Sequence, residues 1–439
     1  MRNWHSTLLA GAIMLALAGP GLAQQSAPAK EVWIGAWGYP SSPPPPGRPD
    51  PAMRPPSATT PDGKPALGMP PELANSHIPA VPNYLMSDLS NVTVRELVRV
   101  SVAAKRVRIR LSNEGGDAPL VIGSVHVGPA GEDGAIADNH AVTFGGRSQV
   151  TVPIGAPLLS DPVDLSAPAL QTLVISIYLP GDVPKLGHSA WQFVSPGPDL
   201  GAAPGAGVKL MRVPAFATRL DVEPVEAKAA SIIALGDSIT EGAQSTTNTF
   251  RSWPDRLAER LAAAHLPWAV VNAGIGGNRL LHNVSGPGAL ARLDRDVLSV
   301  PGAKAVILLE GINDIQRSFS ADPVTAGETI TADDLIFADK QIIARAHAQG
   351  LRVIGATLTP FEGAATFTPE KEAIREAVNQ WIRTSNAFDG VVDFEAAVRD
   401  ASDPKAYRQG FTEMDHLHPN DKGYAAMAAV VDLGMFGGK

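Results

Sequence analysis

After Ala229 the chain alternates between short apolar runs and stretches with helical character. The apolar runs are residues 232–235, 269–271, 305–309, 353–356 and 391–394. The helical stretches are residues 253–265, 333–349, 369–384 and 421–433. Strands that alternate with helices form a parallel sheet covered on both faces. Residues 229–439 therefore predict an α/β domain built on a doubly wound parallel sheet of about five strands.

The preceding part of the chain, from about Val92 to Val222, has a period of two. Apolar Val107, Ile109 and Leu111 alternate with three arginines, which is typical of a half-buried strand. Further apolar runs follow at residues 120–127, 150–154 and 173–179, and glycine and proline turns separate them. Many short strands at such spacing indicate an antiparallel β-sandwich. We assign residues 24–228 to this N-terminal domain.

A proline-rich segment interrupts the β domain near its start. Residues 40–82 contain 15 of the 39 prolines of the chain, so this segment cannot be regular helix or central strand. Residues 32–37, just before it, have the composition of a buried strand. Because a lone strand needs a partner sheet, we expect the segment to cross one face of the β domain.

Residues 1–23 have the plan of a cleavable signal peptide. A positive start at Arg2 precedes an apolar stretch from Leu8 to about Ala18, and small residues lead up to Ala23. The apolar stretch is too short to span a bilayer core of roughly 30 Å as a helix. We expect cleavage after Ala23 and a periplasmic or secreted protein with no membrane attachment. A short N-terminal membrane anchor is the alternative.

Charge and composition exclude several classes of protein. The formal net charge of −8 provides no basic field for a phosphate backbone, so nucleic acid is not an expected partner. Hydrophobic residues at 44% and charged residues at 18% fit a globular chain. The absence of cysteine removes disulfides, thiolate metal sites and cysteine nucleophiles. Any covalent catalysis must therefore come from Ser, Thr, Lys or a carboxylate.

In a doubly wound sheet, ligands bind beyond the carboxyl ends of the strands. The first strand of the α/β domain ends in Gly236-Asp237-Ser238-Ile239-Thr240. A serine between a strand and a helix can expose its hydroxyl and direct its own N–H at an oxyanion. It can equally serve only as a helix cap. The pattern is not the nucleophile elbow of α/β-hydrolases, because Thr240 stands where that motif requires glycine.

The next two strand ends offer neutral hydrogen-bond donors. Residues 272–278, with Gly277 in a glycine-rich turn, can leave backbone N–H groups free to donate. Residues 310–314 contain Asn313, whose amide can stabilise an oxyanion without adding charge. Each sequence is also compatible with an ordinary turn.

Near the C-terminus, Asp415-His416-Leu417-His418-Pro419 precedes the last helix. An aspartate and a histidine three residues apart on a turn can meet, so that the carboxylate holds one imidazole nitrogen and the other faces the serine. Two histidines beside an aspartate are also compatible with a metal site. No further ligand cluster stands nearby at metal-binding spacing, so we expect no metal and no cofactor.

Taken in order, these four segments resemble the blocks of the SGNH (GDSL) hydrolase superfamily over Ser231 to about Leu433. The resemblance implies an SGNH, flavodoxin-like fold, with Ser238 as nucleophile, His418 as general base and Asp415 as its orienting group. It also implies an oxyanion hole formed by the backbone N–H groups of Ser238 and Gly277 and the amide of Asn313. In the family pattern the base follows the aspartate by three residues, which excludes His416.

The whole arrangement looks like that of secreted bacterial SGNH esterases with an N-terminal β domain. We therefore expect an exported serine carboxylic-ester hydrolase that acts through an acyl-enzyme on short acyl, above all acetyl, esters of carbohydrates. Candidate substrate contacts are Arg279, His282, His188 and Trp191, although side chains of this kind more often serve in core or surface packing. Three alternatives remain: a lipid or aryl esterase, an acyltransferase, and a carbohydrate-binding protein with an inactive hydrolase domain. The sequence predicts no oligomeric state.

Overall fold

The computed structural model describes residues 31–44, 80–81, 89–199, 201–320, 324–413 and 415–437. The predicted signal peptide and most of the proline-rich segment lie outside these ranges. From Val32 onwards, the described residues form one compact unit. None of the helices in the described ranges is both long enough and apolar enough to cross a bilayer.

The described residues of the first half of the chain form mainly short strands. They are β1 (Ile34–Gly38), β2 (Ala80–Val81), β3 (Val92–Arg99), β4 (Ala104–Ser112), β5 (Leu120–Ile122), β6 (Ser124–Pro129), β7 (His140–Val142), β8 (Val150–Val152), β9 (Pro157–Leu159), β10 (Thr172–Leu179), β11 (Ser189–Pro196), β12 (Lys209–Pro214) and β13 (Ala217–Pro224).

These strands form a β layer made of two main sheets. One has the order β1-β13-β4-β9 and the other β2-β12-β11-β3-β10-β6-β7, with β5 and β8 as a separate pair. All pairings are antiparallel except that of β12 with β2. Apolar side chains from both main sheets share one core, which includes Ile109 and Val222 from the first and Val94 and Ile175 from the second. The predicted antiparallel β architecture is confirmed.

The second half alternates strands and helices. Its elements are β14 (Ala230–Gly236), α1 (Ser238–Glu241), α2 (Trp253–Ala263), β15 (Trp268–Gly274), α3 (Ala289–Leu293), β16 (Ala303–Leu309), α4 (Ile312–Arg317), α5 (Ala332–Ala348), β17 (Arg352–Ala356), α6 (Pro369–Thr384), β18 (Gly390–Val392), α7 (Phe394–Val398) and α8 (Asp421–Ala429).

The five strands of this half form one parallel sheet in the order β15-β14-β16-β17-β18. This 2-1-3-4-5 order is the flavodoxin-like doubly wound topology, so the predicted fold class is confirmed. The order in which successive strands are added to the sheet reverses between β14 and β16. Folds of this class bind ligands at that point. The last apolar run, residues 391–394, is only partly strand. Asp393 accepts a hydrogen bond from the backbone N–H of Ala396 and begins α7 at Phe394.

The β layer and the parallel sheet meet where β1 packs beside β15. A Cβ atom added at Gly38 would lie 2.8 Å from the carbonyl oxygen of Asn272, so only glycine permits this approach of the two backbones. Each half nevertheless has its own hydrophobic core. The boundary that we assign at residues 228/229 remains a prediction, because the compact unit spans both cores.

Candidate active site

The parallel sheet brings three of the predicted site residues to one edge. Gly236 at the end of β14 is in register with Gly274 of β15 and Leu309 of β16, so the segments that follow all three strands start side by side. Ser238, Gly277 and Asn313 line a single cavity, and His418 lines it too.

Ser238, His418 and Asp415 form a continuous hydrogen-bonded chain. The Oγ atom of Ser238 lies 2.8 Å from Nε2 of His418, and Nδ1 of the same imidazole lies 2.6 Å from Oδ2 of Asp415. Both ring nitrogens are thus engaged, one by a hydroxyl and one by a carboxylate. This arrangement can move a proton from the serine to the imidazole while the carboxylate faces the charge that forms.

Asp415 is held in place by its own turn. Its Oδ1 atom accepts hydrogen bonds from the backbone N–H groups of Leu417 (3.0 Å) and His418 (3.1 Å). Burial raises the pKa of the Asp415 carboxyl, but hydrogen bonding and charge from His418 outweigh it and lower the pKa to about 2. The carboxylate is therefore ionised at every pH at which the protein would work.

The neighbouring histidine has a different position. His416 is exposed, adopts a positive φ of 52° and lies against Gly363. It does not line the cavity. The three-residue spacing from Asp415 thus places His418, and not His416, beside the serine.

The donors that we predict for an oxyanion lie around the serine. Gly277 has a φ of +71°, and a Cβ there would lie 2.8 Å from Oγ of Ser285, so the turn requires glycine. Within the described ranges, the backbone N–H groups of Ser238 and Gly277 have no hydrogen-bond acceptor. One N–H of the Asn313 amide donates to Oδ2 of Asp237 at 3.3 Å, which leaves the second for a ligand.

The Asp237 carboxyl holds two parts of the site in position: the start of α1, where Ser238 lies, and the side-chain amide of Asn313. Its Oδ1 atom accepts a hydrogen bond from the backbone N–H of Ile239 and caps α1, while its Oδ2 atom accepts the Asn313 bond. Because Asp237 is buried, its pKa is raised to about 7. The same carboxyl thus fixes the helix that begins with Ser238 and the side chain of Asn313.

Arg292 of α3 secures the strand ends, a role that the sequence did not reveal. Its guanidinium donates to the carbonyl oxygens of Gly236 (2.8 Å) and Ala273 (2.7 Å) and to Oδ1 of Asn278 (2.9 Å). The side chain is almost fully buried. One cation therefore ties the end of β14 to the end of β15 and to the turn that contains Gly277. Nothing local in the sequence distinguishes this arginine from an ordinary helix-surface residue.

Tyr39 and His188 of the β layer reach Glu241, the last residue of α1. The Tyr39 hydroxyl donates to Oε1 of Glu241 at 2.9 Å, and Nε2 of His188 lies 3.2 Å from the same oxygen. The two rings stack with centroids 4.0 Å apart, and His188 Nδ1 lies 2.5 Å from the carbonyl oxygen of Pro40. Burial raises the pKa of Glu241, but the charges of His188 and Arg212 and the hydrogen bond from Tyr39 together outweigh it and lower the pKa. The nucleophile helix is thus anchored to the β layer.

The predicted substrate contacts have unequal positions. Trp191 lines the cavity, whereas His188 lies behind its wall in the contact with Glu241. His282 lines a separate, smaller cavity of about 330 Å³. The structure gives Arg279 a packing position instead of a substrate contact. Its side chain is fully buried and forms ion pairs with Asp314 and Glu328. The sequence shows that a basic residue, Arg279, follows the turn. It does not show in which direction the side chain of that residue points.

Among the described side chains, no three His, Asp or Glu residues converge on a point where a metal ion could be held. Of the two histidines on which the alternative of a metal site rested, His418 lines the cavity and His416 does not.

Comparison with known proteins identifies a family to which the second half of the chain is similar. Residues 234–426 match the model of the GDSL-like Lipase/Acylhydrolase family. No curated protein matches the chain.

Solved structures similar to this chain include three esterases and lipases. A GDSL-like lipase from Bacteroides thetaiotaomicron is 21% identical (48% of this chain, 90% of that chain, TM-score 0.34). A lipase/acylhydrolase from Enterococcus faecalis is 20% identical (46% and 93%, TM-score 0.34). A variant of a Geobacillus acetyl-xylooligosaccharide esterase is 19% identical (49% and 98%, TM-score 0.37).

The family match covers the segment that carries Ser238, the glycine-rich turn, Asn313, Asp415 and His418. The chain therefore contains a domain of the GDSL-like lipase/acylhydrolase family, and it is a carboxylic ester hydrolase.

Proposed function

We propose that the chain is an exported serine esterase that acts through an acyl-enzyme on short acyl esters, above all acetyl esters of carbohydrates. The observation that carries the proposal is the hydrogen-bonded chain from Ser238 through His418 to Asp415 at the edge of a cavity. Export rests on the signal-peptide pattern of residues 1–23.

The proposed reaction has two halves. In the first, Oγ of Ser238 attacks the ester carbonyl carbon while Nε2 of His418 takes the hydroxyl proton, and Asp415 stabilises the imidazolium. The tetrahedral oxyanion accepts hydrogen bonds from the backbone N–H groups of Ser238 and Gly277 and from the Asn313 amide. His418 then gives its proton to the leaving alcohol, and an acyl ester on Ser238 remains.

In the second half, water attacks the acyl carbonyl and gives its proton to His418. The collapse of the second tetrahedral intermediate returns that proton to Ser238 and releases the acid. An acyltransferase would carry out this half with an alcohol instead of water. The same three side chains serve both outcomes, so following acid release and acyl transfer together distinguishes them.

The preference for a short acyl group rests on the residues around the reactive serine. Gly276, Gly277 and Asn313 line the same cavity as Ser238, and none of the three has an apolar side chain for a long chain to pack against. The acetyl-xylooligosaccharide esterase named above is a neighbour in fold, and acetylated carbohydrate is the substrate class that we propose here.

Replacing Ser238 by alanine is expected to reduce turnover of 4-nitrophenyl acetate to less than a few per cent of wild type, because the nucleophile is lost. Turnover is measured as the rate of nitrophenolate release. Ser299→Ala is the matched control, since Ser299 is exposed and its hydroxyl bonds only to the carbonyl oxygen of Arg295. A Ser238→Ala variant that keeps a tenth of the activity would show that another residue is the nucleophile.

The two histidines are expected to differ sharply. His418→Ala should lose nearly all turnover, because Nε2 of His418 is the atom that lies beside the serine hydroxyl. His416→Ala should lose much less, because its ring is exposed and lies against Gly363. Measuring the steady-state kcat of both variants shows which histidine is the base. Equal losses, or a greater loss for His416→Ala, would mean that the base is misassigned.

Acyl length tests the substrate class. Each extra methylene would gain about 0.8 kcal/mol if an apolar acyl pocket buried it. Since Gly276, Gly277 and Asn313 line the cavity that contains the reactive serine, we expect a higher kcat/KM for the acetyl than for the octanoyl ester of 4-nitrophenol. A steady rise from acetyl through butanoyl to octanoyl would instead support a lipid-type esterase.

A further inference from the structure

The cavity that contains Ser238 is much larger than an acetyl group. Its volume is about 1360 Å³, whereas pockets of roughly 300–1,000 Å³ hold drug-sized ligands. Its lining extends from Ser238 to Trp191 and Arg212 in the β layer. Most of this space is therefore available to the alcohol part of the ester.

The wall contributed by the β layer is fixed relative to the nucleophile helix. Strand β11 begins at Ser189, directly after His188. The Tyr39 hydroxyl lies 2.9 Å both from the carbonyl oxygen of Ser189 and from Oε1 of Glu241. These buried contacts hold the start of β11 beside α1, and Trp191 follows two residues later.

Trp191 and Arg212 are cross-strand partners on this wall. They pair directly between β11 and β12, which places their side chains on the same face of the sheet. Arg212 is exposed, and its Nε donates to Oγ of Ser189 at 3.2 Å. The wall thus offers an indole ring beside guanidinium N–H donors.

The loop between α1 and α2 also lines the cavity, and the side chains that it contributes are mainly hydroxyls and amides. Those that line the cavity include Gln244, Ser245, Thr246, Thr247 and Asn248. In this loop Gln244, Asn248 and Phe250 have φ values of 68°, 58° and 56°. Non-glycine residues rarely adopt this conformation, and such strain is concentrated at ligand-binding and catalytic sites.

The charges around the cavity are nearly balanced. Its basic side chains are Arg99, Arg212, Arg251 and Lys422, and its acidic ones are Glu96, Glu241, Asp255, Glu413 and Asp421. A balanced lining favours a neutral ligand over a strongly anionic or cationic one. A cavity lined by many hydroxyl and amide groups and by an aromatic ring suits a ligand with hydroxyls at its edges and an apolar C–H face.

We propose that Trp191 and Arg212 form a leaving-group subsite that binds a neutral oligosaccharide carrying the ester. The inference rests on the proposed esterase function. The indole ring covers a sugar face, and the guanidinium and the loop between α1 and α2 bond the hydroxyls. The β layer thereby selects the alcohol, while the parallel-sheet half carries out the reaction.

The test compares O-acetylated cellotriose with methyl acetate, whose alcohol is too small to reach the subsite. We expect kcat/KM for the trisaccharide ester to exceed that for methyl acetate by at least tenfold in wild type. Trp191→Ala should lower this ratio by about tenfold, mainly through the KM of the trisaccharide ester, as expected for loss of one aromatic contact of about 1.4 kcal/mol. Trp33→Ala is the matched control, because Trp33 packs on Arg108 and does not line the cavity.

Arg212→Ala is the second variant, and it decides the matter if Trp191→Ala does not fold, since its side chain is exposed. It should lower the same ratio in the same direction. A ratio that stays at the wild-type value in the folded variants, or a wild-type enzyme with no preference for the trisaccharide ester, would overturn the subsite. A wild-type enzyme that hydrolyses neither ester would instead contradict the proposed function.

Discussion

The structure depends on strand β14, which is buried between two parallel neighbours. Residues 231–236 are all buried, and their backbone groups bond to β15 on one side and β16 on the other. Since unpaired backbone groups would be costly in this interior, the register of the three strands is tightly set. That register places the segments containing Ser238, Gly277 and Asn313 at one edge, and Arg292 secures two of the strand ends.

The second structural requirement is contact between the two halves of the compact unit. Close packing of β1 on β15 brings Tyr39 near α1, where it shares the Glu241 carboxylate with His188. Glu241 is one helical turn from Ser238, so the β layer and the nucleophile share a short, buried set of contacts. An N-terminal β layer of this kind contributes to the shape of the site and not only to the surface of the protein.

The sequence revealed the residues that stand directly after apolar runs. Ser238 and Asn313 follow strands of a parallel sheet, and the rule that such ends meet at one edge suffices to bring them together. The pairing of Asp415 with His418 could be predicted because the two residues are only three positions apart on one turn, so their contact is local. Glu241, Tyr39 and Arg292 were not visible, because their partners are distant in sequence and their residue types are common at surfaces. For Arg279 the sequence left both a substrate contact and a packing role open, because a sequence does not show whether a side chain turns inward.

The most direct test of this account is covalent labelling with a fluorophosphonate, in which the nucleophile displaces fluoride from phosphorus. If Ser238 is the nucleophile, each chain gains one phosphonyl group, located by peptide mass spectrometry on Ser238, and labelling is much slower in His418→Ala because no imidazole takes the hydroxyl proton. A stoichiometric adduct on a different residue, or full esterase activity in protein whose Ser238 is labelled, would contradict it.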